Sequence, residues 1–245
     1  MAESSEFITL SSVDKKKGLF LPRHYSSDLA YLCGVFCGDG NITYRPAKHE
    51  YSLKCVGNPL DEKTFYYDVV SPKFTQVFGY EPQPRLHDSG TTFGFRIYSK
   101  ALFQYLTGVI GLPSGPKYGK LHIPDSFGFH LPLVLSFIRG VADTDGCISF
   151  KKKYKSFPYY PVITIPSKDA RFIKEISQIL TQLGFRYYEV YDYKVKDHRI
   201  RSGYTLISKI ELNGLDNLEL WNKLIGFSSP KHLKKIEMFG KNSGG

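Results

Sequence analysis

Two stretches of the sequence close an apolar segment on the same residue pair: LCGVFCGDG at 32–40 ends on Asp39-Gly40, and IRGVADTDG at 138–146 ends on Asp145-Gly146. A single Asp-Gly marks turns everywhere, because Asp tolerates left-handed backbone and Gly carries no steric penalty there. Two in matching contexts ask for a chemical reason. Gly34 and Gly38 lie four residues apart, as do Gly140 and Thr144, so each segment read as a helix presents small residues on one face. Helices packed through those faces would bring Asp39 and Asp145 together at their C-terminal ends. There the helix dipole disfavours each carboxylate and the other carboxylate repels it, so the pair needs a compensating cation. Oxygen donors point to Mg²⁺.

The elements that must position these aspartates form a degenerate repeat. After Asp39, NITYRPAKHEYSLKCVG alternates about a turn at Arg45-Pro46-Ala47 and predicts a β-hairpin. NPLDEKTFYYDVVSPKFTQVFGY has helical spacing, PRLHDSGTTFGFRIYS predicts a second hairpin turning at Asp88-Ser89-Gly90, and KALFQYLTGVIG a further helix. The second half repeats the order with hairpins in GCISFKKKYKSFPYYPVITI and RYYEVYDYKVKDHRIRSGYTLISKIEL, and helices in SKDARFIKEISQILTQLGF and NLELWNKLIGFSSPKHLKK. The tails match most closely, VIGLPSGPK at 109–117 against LIGFSSPK at 224–231. The boundary falls near residue 125, giving domains 1–125 and 126–245, with no Gly/Ser linker between them.

Apolar residues at 42% and charged residues at 23% are ordinary for a globular chain and exclude wholesale disorder. The net charge of +10 points to a polyanionic partner, and Lys and Arg interleaved with Tyr and Phe in strand-like segments suit a sheet on a phosphate backbone better than a membrane surface. Cysteines at 33, 37, 55 and 147 show no CxxC spacing, which favours neither a disulfide framework nor a zinc site. No apolar run approaches membrane-helix length and the first residues lack a signal-peptide pattern, so an intracellular protein is expected.

The two Asp-Gly stretches resemble the paired signature helices of the LAGLIDADG homing endonucleases in their single-chain, two-domain form. The resemblance runs over nearly the whole chain, with the hairpins, the helices and the GLPSGPK and GFSSPK segments where that family has them. It implies an α+β fold in which each half is αββαββα, two antiparallel sheets form a saddle over the DNA major groove, and the signature helices form the interdomain interface. By position it makes Asp39 and Asp145 the catalytic, metal-binding residues, with Gly38 and Thr144 beside them in the expected metal site. The reaction it implies is a staggered double-strand break, each phosphodiester being attacked by water activated on a divalent ion, Mg²⁺. The motif's earlier acidic position is Asp143 in the second helix but Cys37 in the first, so Asp143 reads as a helix or interface residue. Cys33 and Cys37 read as small packed hydrophobes. Basic residues near such a site are expected at Lys117 and Lys231, then at Lys120 and Lys234. Phosphate contact is the competing role for all four. A polar residue before the long helix falls on KCVGNP, leaving Lys54 and Asn58 as candidates.

Alternation in the hairpins gives the candidate DNA contacts. In the first half these are Arg45, Lys48, His49, Tyr51, Lys54, Arg85, His87 and Arg96. In the second they are Lys151, Lys153, Lys155, Tyr159, Lys194, Lys196, Arg199 and Arg201. The hairpins differ between halves, so the target need not be a palindrome and a monomer suffices. An intron RNA maturase, or a noncatalytic DNA-binding regulator on the same scaffold, is the alternative. The presence of both aspartates favours the endonuclease.

Overall fold

The computed structural model describes residues 8–128, 130–153, 158–198 and 200–243. The chain enters through a short helix, α1 (Ser12–Lys16), closed by a reciprocal cap in which Ser11 Oγ accepts from Asp14 N and Asp14 Oδ2 from Ser11 N. Next comes α2 (Ser27–Gly38), opened by Ser26, whose Oγ accepts from Leu29 N at 3.1 Å. Residues 29–37 of α2 are all buried, as expected for a helix apolar on every side.

The first hairpin is β1 (Gly40–Arg45) and β2 (Glu50–Gly57), joined by a tight turn with His49 left-handed at φ 47°. Helix α3 (Lys63–Phe65) runs on through a π-turn at Tyr66–Val70 into α4 (Ser71–Phe78). A second hairpin, β3 (Arg85–His87) and β4 (Thr92–Tyr98), turns at Asp88–Gly90 and leads to α5 (Lys100–Gln104), whose π-turn extends to Ile110. The second half repeats this as α6 (Leu131–Thr144), β5 (Cys147–Lys151), β6 (Tyr160–Ser167), α7 (Ala170–Gln182), β7 (Tyr187–Lys196), β8 (Tyr204–Asn213) and α8 (Leu215–Leu224). The terminal stretch expected as one element breaks at Gly226, which sits at φ 72°, and restarts as α9 (Pro230–Ser243).

Each half contains one four-stranded antiparallel sheet, ordered β1-β2-β4-β3 in the first and β5-β6-β8-β7 in the second. The class is α+β with two sheets of matching topology. One face of each sheet meets the helices through Ile42, Leu53, Phe95 and Ile97 in the first half and Ile148, Ile163, Ile165 and Ile210 in the second, all buried in one continuous core. The opposite faces stay open. The connector between the halves is fastened to α7, with Leu121 N donating to Asp169 Oδ2 at 3.0 Å and Ile123 N to Glu175 Oε2 at 2.9 Å.

The halves meet through α2 and α6. A Cβ on Gly34 would stand 2.1 Å from Phe137 O, and one on Gly140 would stand 2.1 Å from Tyr31 O. Each helix backbone therefore lies where the other's side chain would be. The small-residue face predicted from the four-residue spacing is this contact, and its reciprocity makes the two Asp-Gly ends neighbours. Among the described residues, no helix is long and apolar enough to cross a membrane.

Candidate active site

Asp39 and Asp145 occupy the C-cap positions of α2 and α6, their backbone N–H groups donating to Val35 O at 2.9 Å and Val141 O at 3.0 Å. A Cβ on Gly38 would lie 2.1 Å from Thr144 Oγ1 and 3.4 Å from Asp145 Cγ, so the end of one helix abuts the carboxylate of the other. Two carboxylates and two helix C-termini thus converge, and all four carry negative charge or its dipolar equivalent.

Cations and donors answer that charge unequally. Lys117 Nζ donates to Cys37 O at 2.7 Å and also to Gly38 O, so it caps the open carbonyls of α2. Its counterpart in the repeat, Lys231, instead pairs with Oε1 of buried Glu62 across the interface. Glu62 Oε2 accepts from Asn58 N at 2.6 Å. A side chain on Gly57 would strike Glu62 Oε2 at 1.9 Å and approach Asp39 Oδ2 at 3.0 Å. Tyr66 donates its hydroxyl to Asp39 Oδ2 at 2.9 Å.

Burial first, then the Glu62 and Asp145 charges, push the Asp39 carboxyl up to about 8, against the opposing Tyr66 hydrogen bond and Lys231. Asp145 is also raised, chiefly by the protein packed around it, with Lys117 opposing. Its surface remains solvent-exposed, whereas Asp39 is half-buried. Beside Asp145 opens a cavity of about 400 Å³, lined among others by Gly38, Lys117, Tyr118, Pro166, Lys168 and Ile207.

Asp143 is fully buried and does not face this cluster. Its carboxylate accepts from Tyr31 Oη at 2.8 Å, Ser228 N at 2.9 Å and Ser229 N at 3.1 Å, fixing the bend that carries Lys231. Cys33 and Cys37 are buried, and burial pushes the Cys37 thiol up to about 12, so both pack rather than react.

The other expected positions make contacts of their own. Thr144 donates its hydroxyl back to Gly140 O at 3.0 Å and Val141 O at 3.1 Å in its own helix. The Gly38 carbonyl is engaged by Lys117. Lys120 and Lys234 stand exposed, and Lys54 reaches Asp88 Oδ1 at 2.7 Å. Asn58 serves the cluster through its backbone, while its side chain accepts from Leu60 N at 2.9 Å.

On the first sheet the register sets Lys54 opposite Arg96, with Arg85 opposite Gly94 and His87 opposite Thr92, all on the open face. Arg45 lies at the strand end, 3.4 Å from Glu50, beside Lys48 and His49 in the turn. Tyr51 belongs to the other face, where its ring stacks on Tyr44 at 4.3 Å and meets Phe103 at 5.1 Å. Alternation from Leu53 forces it there. On the second sheet Lys151 lies opposite Tyr160, Tyr159 precedes that strand, and Lys153 Nζ covers the Tyr160 ring at 3.7 Å. A bulge between Val190 and Tyr193, with Asp192 left-handed at φ 49°, shifts the alternation by one residue. Lys194 and Lys196 consequently pair with Leu206 and Tyr204 on the helix-bearing face, against expectation. The same shift puts Tyr193 on the open side, where alternation from Ile210 and Leu212 along β8 already sets Lys209. Arg201 is exposed in the β7–β8 turn, whereas Lys155 and Arg199 lie outside the described residues.

Crossed helices that each end in an aspartate, beside two four-stranded sheets with open faces, are the architecture that the resemblance to the LAGLIDADG homing endonucleases implies. Residues 132–226 match the family model described as the LAGLIDADG-like domain. The fold as a whole is shared with the homing endonuclease I-DmoI, solved in complex with DNA and Mn (19% identity, 82% of this chain and 97% of that one, TM-score 0.55). A second I-DmoI structure, with DNA and Ca, gives 16% identity over 86% and 97%, TM-score 0.56. The homing endonuclease I-WcaI bound to its DNA recognition sequence is 14% identical over 96% of this chain and 98% of that one, TM-score 0.54. No curated protein matches the chain significantly.

Proposed function

We propose that this protein is a site-specific DNA endonuclease that makes a staggered double-strand break by Mg²⁺-dependent phosphodiester hydrolysis, acting as a monomer. The observation that carries the reading is the convergence of Asp39 and Asp145, one from each half, between two open sheet faces. The donor set fits a hard divalent cation, because both carboxylates are raised by burial and like charge, which a cation relieves. Asp39 and Asp145 would hold the ion as oxygen donors, and among the described residues no group of three or more His, Cys, Asp or Glu does so. When bound, the ion supplies a Lewis acid and lowers the pKa of its water.

The chain's own residues do the rest. Asp39 and Asp145 hold charge at the base of the groove, each in reach of one strand of a duplex lying across both sheets. Lys117 offsets the α2 C-terminus, and Lys231, held by Glu62, brings a second cation to the Asp39 side. Arg85, Arg96 and Lys54 on the first open face and Lys151 and Lys209 on the second meet DNA, as the DNA complexes of I-DmoI and I-WcaI support by likeness of fold.

The test is incubation of the protein with a randomised duplex library and Mg²⁺, with Ca²⁺ as a binding control, followed by sequencing of cut ends. Staggered cuts at one long, imperfectly symmetric site are expected. Retained binding without cuts in Mg²⁺ or Mn²⁺ would move the assignment to a regulator or an intron RNA maturase.

A further inference from the structure

We propose that the two halves of the DNA target differ in base composition: the first sheet reads guanines, and the second reads thymine methyl groups and so selects an A·T-rich stretch. This rests on the site-specific DNA-binding reading above.

The two open faces carry different chemistry. The strands of the first half hold Arg45, Arg85 and Arg96, the last two on the open face by register. A guanidinium matches guanine O6 and N7 with two hydrogen bonds. Among the described residues, the strands of the second half contain no arginine. Their open face carries Lys151 with Tyr160 and Thr164 with Glu211 and Tyr188, and beside these three further cross-strand rows: Val190 with Lys209 and Pro166, Tyr193 with Ile207, and Val195 with Thr205. Core residues Ile163, Ile165, Ile210 and Leu212 take the opposite face, which fixes the direction of these rows. Val190, Val195, Ile207 and Pro166 are each half-buried, so apolar surface remains open where a duplex would lie.

The cation in these three rows is already engaged. Lys209 Nζ donates to Glu211 Oε1 at 2.6 Å and lies 5.2 Å from the Tyr193 ring centroid. The bulge after Val190 turns Lys194 and Lys196 to the other face, so it replaces two ammonium groups by Tyr193 and Val195. The thymine C5-methyl is the apolar group that base pairs present in the major groove, and β-branched side chains meet it without needing a donor. RNA carries uracil, which lacks that methyl, so the same surface discriminates against RNA.

Duplexes bound by the full chain in Ca²⁺ are selected from a randomised library and sequenced. We expect guanine enrichment in one half-site and A·T enrichment with defined thymines in the other. Replacing those thymines by uracil keeps every hydrogen bond and should weaken binding about fourfold per contacted methyl, while uracil in the guanine-bearing half changes it by less than about twofold. Arg96→Ala should relax guanine preference in one half alone. Selected sites whose halves have equal composition, or uracil tolerated throughout, overturn the inference and leave site-specific binding standing. No enriched sequence at all overturns both.

Discussion

Asp39 and Asp145 hold equivalent places in the repeat but keep different company. Asp39 has the Tyr66 hydroxyl, the Glu62 carboxylate nearby and a carboxyl pushed to about 8, whereas Asp145 faces a cavity and solvent. A carboxyl whose pKa rises on folding favours the folded state fully below its unfolded value, near 4, and that contribution is lost as pH climbs towards 8. Without divalent ions, thermal stability should therefore fall between about pH 5 and 8. Asp39→Asn should recover about 1–3 kcal/mol at pH 8, measured by thermal melts in chelator, with little difference near pH 4. A wild-type protein that gains stability over that range would remove Asp39 from the charged cluster. Glu62 is the largest charge raising Asp39, so Glu62→Gln should lower the Asp39 titration midpoint by about one unit in an NMR titration. The sequence held no sign of Glu62's role, because the residue reads as the helix N-cap that Asp169 is in the second half and acts through a contact with Lys231 from the other half. The aspartates were legible because the Asp-Gly pair and its apolar lead-in occur twice.

At the scale of elements, the interface depends on two glycines facing backbone. Gly34→Ala or Gly140→Ala puts a methyl about 2.1 Å from a carbonyl oxygen of the other helix, which neither helix can yield without separating. Each should cost about 3 kcal/mol or more by denaturant melts, at the upper end of overpacking effects. A cost under about 0.5 kcal/mol would contradict the close crossing. Asp143→Ala leaves Ser228 and Ser229 N–H and the Tyr31 hydroxyl without their acceptor in a buried site, and should cost about 3 kcal/mol while displacing Lys231. Asp143→Asn, which keeps an acceptor, should cost less. Hairpins, helices and the small-residue face were legible, because each follows from period, turn residues or spacing. Two features were not. Hairpin alternation read alone places Tyr51 in the groove, whereas its parity with Leu53 binds it to the core face, and the β7 bulge, an insertion of one residue at Asp192, reverses every side chain beyond it without marking the local pattern.

For the molecule as a whole, duplication and charge act together. Two copies of one topology set two open sheet faces in one chain, and a net charge of +10 with Arg85, Arg96 and Lys151 on those faces suits the duplex proposed above. If six to ten phosphates are contacted, affinity should fall by about 10³–10⁵ between about 50 and 200 mM salt, as followed by fluorescence anisotropy. A flat salt response would contradict a duplex lying across both sheets. The central claim is that Asp39 and Asp145 form one catalytic centre distinct from the DNA-reading surface. The measurement that tests it most directly is cleavage and binding of the selected target by Asp39→Asn and Asp145→Asn. Each variant should bind in Ca²⁺ within about threefold of wild type, because groove contacts are untouched, and should lose double-strand cleavage in Mg²⁺ by about 10³-fold or more. Either variant cutting both strands at the wild-type rate would contradict the account.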